Sequence, residues 1–173
     1  MAALELFGTK GYDATSVSEV ASKAEVSKGL IYNYFQSKEH ILQQLFTYLN
    51  SQEQDVLRQV EDDDPKKMLE NILRYVFAEL RNNSDLWKLI TSLALQVGKF
   101  DFLHQPLVNK LNSYYTLFES LLTQTGIKNP DKEAKVIGAL LDGIGFQSLV
   151  LGKDYPLDEI EEYLVQKYCR NAT

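Results

Sequence analysis

The chain reads as all-α, and three observations predict that class. Apolar residues recur at i, i+3 and i+4 through nearly every stretch. Gly, Pro, Ser and Asn fall between those stretches, where helices start and stop. No segment alternates apolar and polar residues in the period of a half-buried strand. No internal repeat or low-complexity segment interrupts the pattern.

Residues 2–7 form the end of a first helix, with Leu4 and Phe7 one turn apart, and residues 8–11 close it through glycine. Ser16 with Glu19 three residues later is a capping-box signature. It predicts a helix starting at Ser16, with Val17, Val20 and Ala21 as its inner stripe. Ala24, Glu25 and Val26 leave room only for a turn. Ser27 is the next N-cap, and residues 28–35 the next helix, packed back through Leu30 or Ile31 with Tyr34 or Phe35. Two short helices around such a turn make a helix-turn-helix, whose second helix can lie in a DNA major groove.

Beyond it, 38–60 is predicted as one long helix with Ile41, Leu42, Leu45, Phe46 and Leu49 inward. The acidic run Asp62–Asp64 breaks it, and Asp64-Pro65 starts the helix 65–81. Ser84-Asp85 opens the next, with Leu86, Leu89, Ile90, Leu93 and Val97 on one face and Gly98 as its stop. A helix over 104–125 carries Leu107, Leu111, Tyr114, Phe118 and Leu121 or Leu122, and ends at Gly126. Asn129-Pro130 begins one that runs to Leu151 and stops at Gly152. The last spans 156–168, with acids in its first turn and Lys167 and Arg170 at its end, as the helix dipole favours. Eight or nine helices are expected.

At 173 residues, 45% hydrophobic and 24% charged, the composition is that of an ordinary globular protein. No apolar run approaches the ~18–20 residues that span a bilayer. The start, MAALELFGTKG, lacks a basic n-region, so no signal peptide is expected. Cys169 is the only cysteine, which excludes an internal disulfide and suits a reducing cytoplasm. A net charge of −6 argues against nonspecific coating of nucleic acid. In the first fifty residues Lys10, Lys23, Lys28 and Lys38 meet Glu5, Asp13, Glu19, Glu25 and Glu39, with no Arg. DNA affinity must then come from where the lysines and backbone N–H groups are placed, and from two copies acting together.

The stretch ATSVSEVASKAEVSKGLIYNYFQSKEHIL, with Leu6, Phe7 and Gly11 before it, resembles the DNA-binding domain of the TetR/AcrR family of bacterial repressors. The resemblance rests on Thr15, Val20, Ala21, Ala24, Val26, Ser27, Gly29, Ile31, Tyr32, Tyr34, Phe35, Lys38 and Leu42. It covers about the first fifty residues; the remainder is similar only in style. It implies a three-helix helix-turn-helix domain over 1–46 and a helical ligand-binding and dimerisation bundle over 47–173.

The expected DNA-binding residues are Thr15, Ser16 and Ser18, then Ser27, Lys28, Gly29, Tyr32, Asn33, Tyr34 and Lys38. Lys28 can donate to guanine or to a phosphate, and Tyr32, Asn33 and Tyr34 bring hydroxyl, amide and ring surface. Gly29 permits close backbone approach. Thr15 and Ser16 would offer donors to a phosphate. Phe35 reads as core. Aromatic residues at helical spacing in the second domain are either plain core or a ligand box. On the family's precedent, Trp87, Tyr114, Phe118 and Gln147 are the expected ligand-binding residues, for a small apolar or aromatic effector. Gly138, Gly143 and Gly145 each cost ~1 kcal/mol against Ala inside a helix, and small residues let helices approach closely. With the family's four-helix interface, this points to a homodimer through Val136, Leu140, Ile144, Leu151, Ile160, Leu164 and Tyr168.

The two histidines, His40 and His104, lack partners at metal-ligand spacing, and no catalytic, phosphate-binding or dinucleotide motif is present. No cofactor, metal or catalytic residue is expected. The expectation is a ligand-responsive regulator that binds double-stranded operator DNA. Two other classes stay open on sequence alone: a helical enzyme whose helix-turn-helix is only structural, and a protein-interaction module.

Overall fold

In a computed structural model, residues 1–96 and 98–170 are described, and 80% of the described residues are helical. Among the described residues there are ten α-helices and no strand. They are α1 (Ala2–Thr9), α2 (Val17–Lys23), α3 (Lys28–Tyr34), α4 (Lys38–Ser51), α5 (Glu53–Val60), α6 (Pro65–Asn82), α7 (Ser84–Ala94), α8 (Asp101–Gln124), α9 (Pro130–Leu151) and α10 (Leu157–Val165). A 3-10 turn follows α9, and a π turn, Gln166–Arg170, follows α10.

The local signals place most boundaries. Ser16 caps α2 through a complete capping box, Ser27 accepts from Leu30 N–H, and Ser37 caps α4 through His40 N–H. Asp64 caps α6, with Pro65 in its first turn. Two expectations are corrected. The helix expected over 38–60 is broken at Gln52, giving α4 and α5. The break falls at Asn50-Ser51-Gln52, where the Ser51 hydroxyl donates to Tyr48 O at 2.7 Å and competes with the helix ladder. α8 begins at Asp101 rather than 104 and carries Pro106 within it. Val97, expected on the inner face of α7, lies outside the described residues.

The chain packs as two compact units, residues 1–55 with 85–104, and 56–84 with 105–173. The expected boundary after residue 46 falls inside α4. In the first unit, Phe7, Val20, Ala21, Leu42, Leu89, Leu93 and Leu103 are buried. Gly8 sits where a Cβ would lie 2.3 Å from Asp85 O, so only glycine allows this approach of α1 and α7. In the second unit, Leu69, Leu73 and Phe77 of α6 are buried, as are Leu122, Ile137, Val165 and Tyr168. There Arg74 bonds Glu70 and Glu161, and Arg81 bonds Asp158 and Glu161, which ties α6 to α10. Cys169 is buried, and burial pushes its thiol up to about 11.

No continuous apolar run of bilayer length is present, but one helix reaches that length with a high average hydropathy. Residues 130–154 are long and apolar enough, by length and composition, to cross a membrane, with mean hydropathy 1.4 over the best window. Asp142 and Gln147 interrupt any continuous apolar run, but the average passes over them. Only 28% of that window is buried within the chain. The open side of α9 presents Val136, Leu140, Phe146, Val150 and Leu151.

Candidate nucleic-acid interface

The first unit builds a helix-turn-helix from α2 and α3. Between them Glu25 takes a left-handed φ of 57°, and the N–H groups of Glu25 and Val26 return to Ser22 O and Ala21 O. This closes the turn tightly, at some backbone cost for a residue with a Cβ. Ile31 anchors α3 inward and Phe35 is half-buried. The remaining surface of α3 faces out. At 100° per residue, Gly29 and Asn33 run along its centre, Lys28 and Tyr32 along one flank, and Leu30 and Tyr34 along the other.

Tyr32, Asn33 and Tyr34 are exposed, Tyr34 at 72%. Lys28 is exposed, its ammonium 5.9 Å from the Tyr32 ring centre. Ser18 and Ser27 are exposed too, the latter engaged as a cap. A Cβ at Gly29 would meet only Ser27 Oγ, at 3.9 Å. Neither packing nor φ requires glycine there.

Charges sort in the same way. Lys10 pairs with Glu19, Lys23 with Glu5 at 2.5 Å, and Lys99 with Asp13 at 2.6 Å. The Lys10 ammonium and two hydrogen bonds from Ser16 hold the Glu19 carboxyl down to about 2. Lys28 is therefore the lysine of residues 1–50 whose ammonium stays turned toward solvent.

Other expected contacts are placed differently. Thr15 is 1% exposed, and its one hydroxyl proton is directed to Gly11 O at 2.8 Å, with Leu6 O also near at 3.2 Å. Ser16 N–H and Oγ are both taken by Glu19. Lys38 Nζ donates to Tyr12 O at 2.7 Å, Thr15 O at 2.9 Å and Asp13 O at 3.3 Å, above the Tyr12 ring. These three residues build the loop before α2. Lys38 closes that loop, since its ammonium has three protons and all are used. Tyr12, which sequence reasoning passed over, packs between Phe7 and Phe100 and completes the brace. Its one sequence signal was an aromatic next to Gly11.

The second-domain expectations divide likewise. Trp87 belongs to the first unit, and Tyr114, Phe118 and Gln147 to the second. Phe118 is buried, whereas Gln147 stands on the open side of α9. None of the four lines either of two surface grooves of about 350 and 300 Å³. Of the expected dimer residues, Val136, Leu140 and Leu151 are exposed and Ile160 is half-buried. Ile144, Leu164 and Tyr168 are buried in their own chain. The Tyr168 hydroxyl donates to Glu133 at 2.6 Å, which further fixes it inside.

A capped, outward-facing α3 on an all-helical chain defines the helix-turn-helix class of regulators. Residues 1–45 match the model of the tetR family of bacterial regulatory proteins. The HTH-type transcriptional regulator BetI of Serratia proteamaculans is 30% identical over 151 residues, which cover 82% of this chain and 73% of that protein. The chain belongs to the TetR family. The fatty acid metabolism regulator protein of Bacillus subtilis is 30% identical over 128 residues, 71% of this chain and 63% of that protein. With two other curated regulators of that organism, the match spans only 32% and 16% of their lengths. The fold is shared with the Bacillus subtilis regulator FadR solved in complex with stearoyl-CoA, at TM-score 0.72 and 23% identity over 99% of this chain and 96% of that one.

Proposed function

We propose that the chain is a ligand-responsive repressor, acting in the cytoplasm as a homodimer on a near-palindromic operator and released by a small apolar molecule. In this reading residues 1–46 hold the DNA-binding head, and 47–173 the effector and dimerisation functions. One observation carries it: α3 turns Lys28, Tyr32, Asn33 and Tyr34 outward from a tightly capped helix-turn-helix. The free ammonium of Lys28 suits a guanine edge or a phosphate, and the bare Gly29 suits close approach. Ser18, on the outer side of α2, adds a phosphate donor.

The open side of α9 supports the dimer. Val136, Leu140, Phe146, Val150 and Leu151 form an apolar stripe that a second copy would bury by the same stripe under twofold symmetry. The effector class rests on the aromatic residues expected to meet it, Trp87 in the first unit and Tyr114 and Phe118 in the second. It also rests on the relatives, one named for fatty acid metabolism and another solved with stearoyl-CoA. A long-chain acyl thioester is therefore the first effector to test. The coupling required between effector and DNA is ~1–3 kcal/mol.

The test is to select duplexes from random DNA, then measure binding by anisotropy with and without stearoyl-CoA. Two half-sites should emerge, and adding about half a helical turn between them should abolish binding. Phe146→Glu should sediment as a monomer and lose operator affinity. Selection of no duplex would refute DNA recognition, and a spacer-insensitive complex or a dimeric Phe146→Glu would refute the two-headed geometry.

A further inference from the structure

We propose that Leu30 is a specificity-determining residue that reads the 5-methyl group of a thymine in the major groove. The inference rests on the DNA-binding reading above and extends it from position to sequence choice.

The argument comes from comparing two first turns in one motif. α2 obeys the local rules: Ser16 caps it, Glu19 at the third helical position closes the capping box, and that acid suits the helix dipole. α3 has the same serine cap at Ser27 but breaks the rules that α2 keeps. Lys28 places a cation at the positive end of the helix, and there is no acid in the first turn. Gly29 adds the helix cost of glycine where neither φ nor packing asks for it. Leu30 occupies the third position, where a Glu or Gln would close the box, and it is 42% exposed. A single exposed leucine is ordinary on a protein surface. Three departures in consecutive residues, beside a turn that keeps every rule, mark a surface shaped for something outside the chain.

Each departure favours the same partner. A carboxylate at position 30 would repel phosphates, and a leucine does not. Glycine at 29 clears the way for a close surface beside it. Leu30 is the one aliphatic side chain on the outward side of α3, because Ile31 is the buried anchor. Major-groove edges offer one aliphatic feature, the thymine methyl, and apolar side chains are what read it. Leu30 lies between Gly29 and Asn33 at the centre and Tyr34 at the flank, so its contact falls within the same few base pairs as theirs.

The test uses the full-length protein and the half-site obtained by selection. Each thymine is replaced in turn by uracil, which removes the methyl and nothing else. Burying one methyl-sized group at ~0.8 kcal/mol corresponds to about fourfold in affinity per half-site. The parent should lose about fourfold at one or two thymines, and Leu30→Ala should show no loss at those same positions. Leu30→Met, which keeps the apolar reach, should restore the discrimination; unchanged thermal melts show that both variants fold. Equal uracil penalties in parent and Leu30→Ala, or a selected half-site without thymine, would overturn the assignment while leaving DNA binding intact. Failure to select any duplex would overturn the underlying reading and this inference together.

Discussion

Lys38→Met separates a phosphate contact from a structural clasp, because the two roles predict opposite pairs of results. In the structure the Lys38 ammonium donates to Tyr12 O, Thr15 O and Asp13 O and lies 4.3 Å from the Tyr12 ring centre. Methionine keeps the apolar stem and removes every donor. Hydrogen bonds to a charged group contribute ~1.5–3 kcal/mol each. The 3.3 Å bond to Asp13 O is exposed and weak, and water can replace part of the other two. The net loss is then ~2–3 kcal/mol, or about 5–10 °C in Tm for a chain of this size. Anisotropy titrations between about 50 and 200 mM salt supply the second measurement. Each phosphate contact adds ~0.9 to the slope of log K against log salt, so a dimer losing two would lose ~1.8. The expected outcome is a lower Tm, weaker operator binding through a disordered loop, and an unchanged slope. A Tm within a degree of the parent, with the slope reduced by ~1.8, would refute the clasp and return Lys38 to the phosphate.

Two glycine substitutions should move stability in opposite directions, read from urea midpoints. Gly8→Ala puts a Cβ 2.3 Å from Asp85 O, a backbone atom that cannot swing away; overpacking of ~1–3 kcal/mol should exceed the helix gain. Gly29→Ala makes only an ordinary contact with Ser27 Oγ at 3.9 Å and should stabilise the protein by up to ~1 kcal/mol while weakening operator binding. Glu19 contributes to the acid limb of stability. Its carboxyl is lowered from 4.5 to about 2 by Lys10 first and then Ser16, so it binds protons less readily folded than unfolded. Its contribution is full above pH 4.5 and is lost as pH falls through about 2. Asp13, lowered first by its hydrogen bond from Lys99, acts in the same sense. Glu19→Gln should flatten the fall of Tm with pH in that window, and an unchanged profile would show that the capping pair does not govern it.

Local order was legible wherever a helix end carries its own side-chain signal. Ser16, Ser27, Ser37 and Asp64 each accept a backbone N–H. Ser16 was foreseeable from Glu19 three positions on, Asp64 from the adjoining Pro65, and Ser27 from the apolar turn of helix beyond it. On α3 the inward pair stayed open between Leu30 and Ile31 and between Tyr34 and Phe35, and the fold turns Ile31 in while Leu30 and Tyr34 face out. The helix break at Gln52 was not legible, since the apolar stripe runs through it and only a weak Asn-Ser-Gln run marks the place.

The sequence by itself determined an all-helical chain and the two capped helices of the head, and it left open whether Leu30 or Ile31, and Tyr34 or Phe35, turn inward on α3. Those properties depend on neighbours within about four positions, where periodicity and capping act. Tertiary structure alone decided which polar groups are already spent. Thr15 and Lys38 look like DNA contacts in one dimension, yet Gly11, Tyr12 and Asp13 take their donors. It also decided which apolar residues of α9, α10 and the π turn after it are buried in the chain, with Ile144, Leu164 and Tyr168 inside and Val136, Leu140 and Leu151 outside. Helical spacing defines a stripe, but which stripe is covered is set by elements distant in sequence.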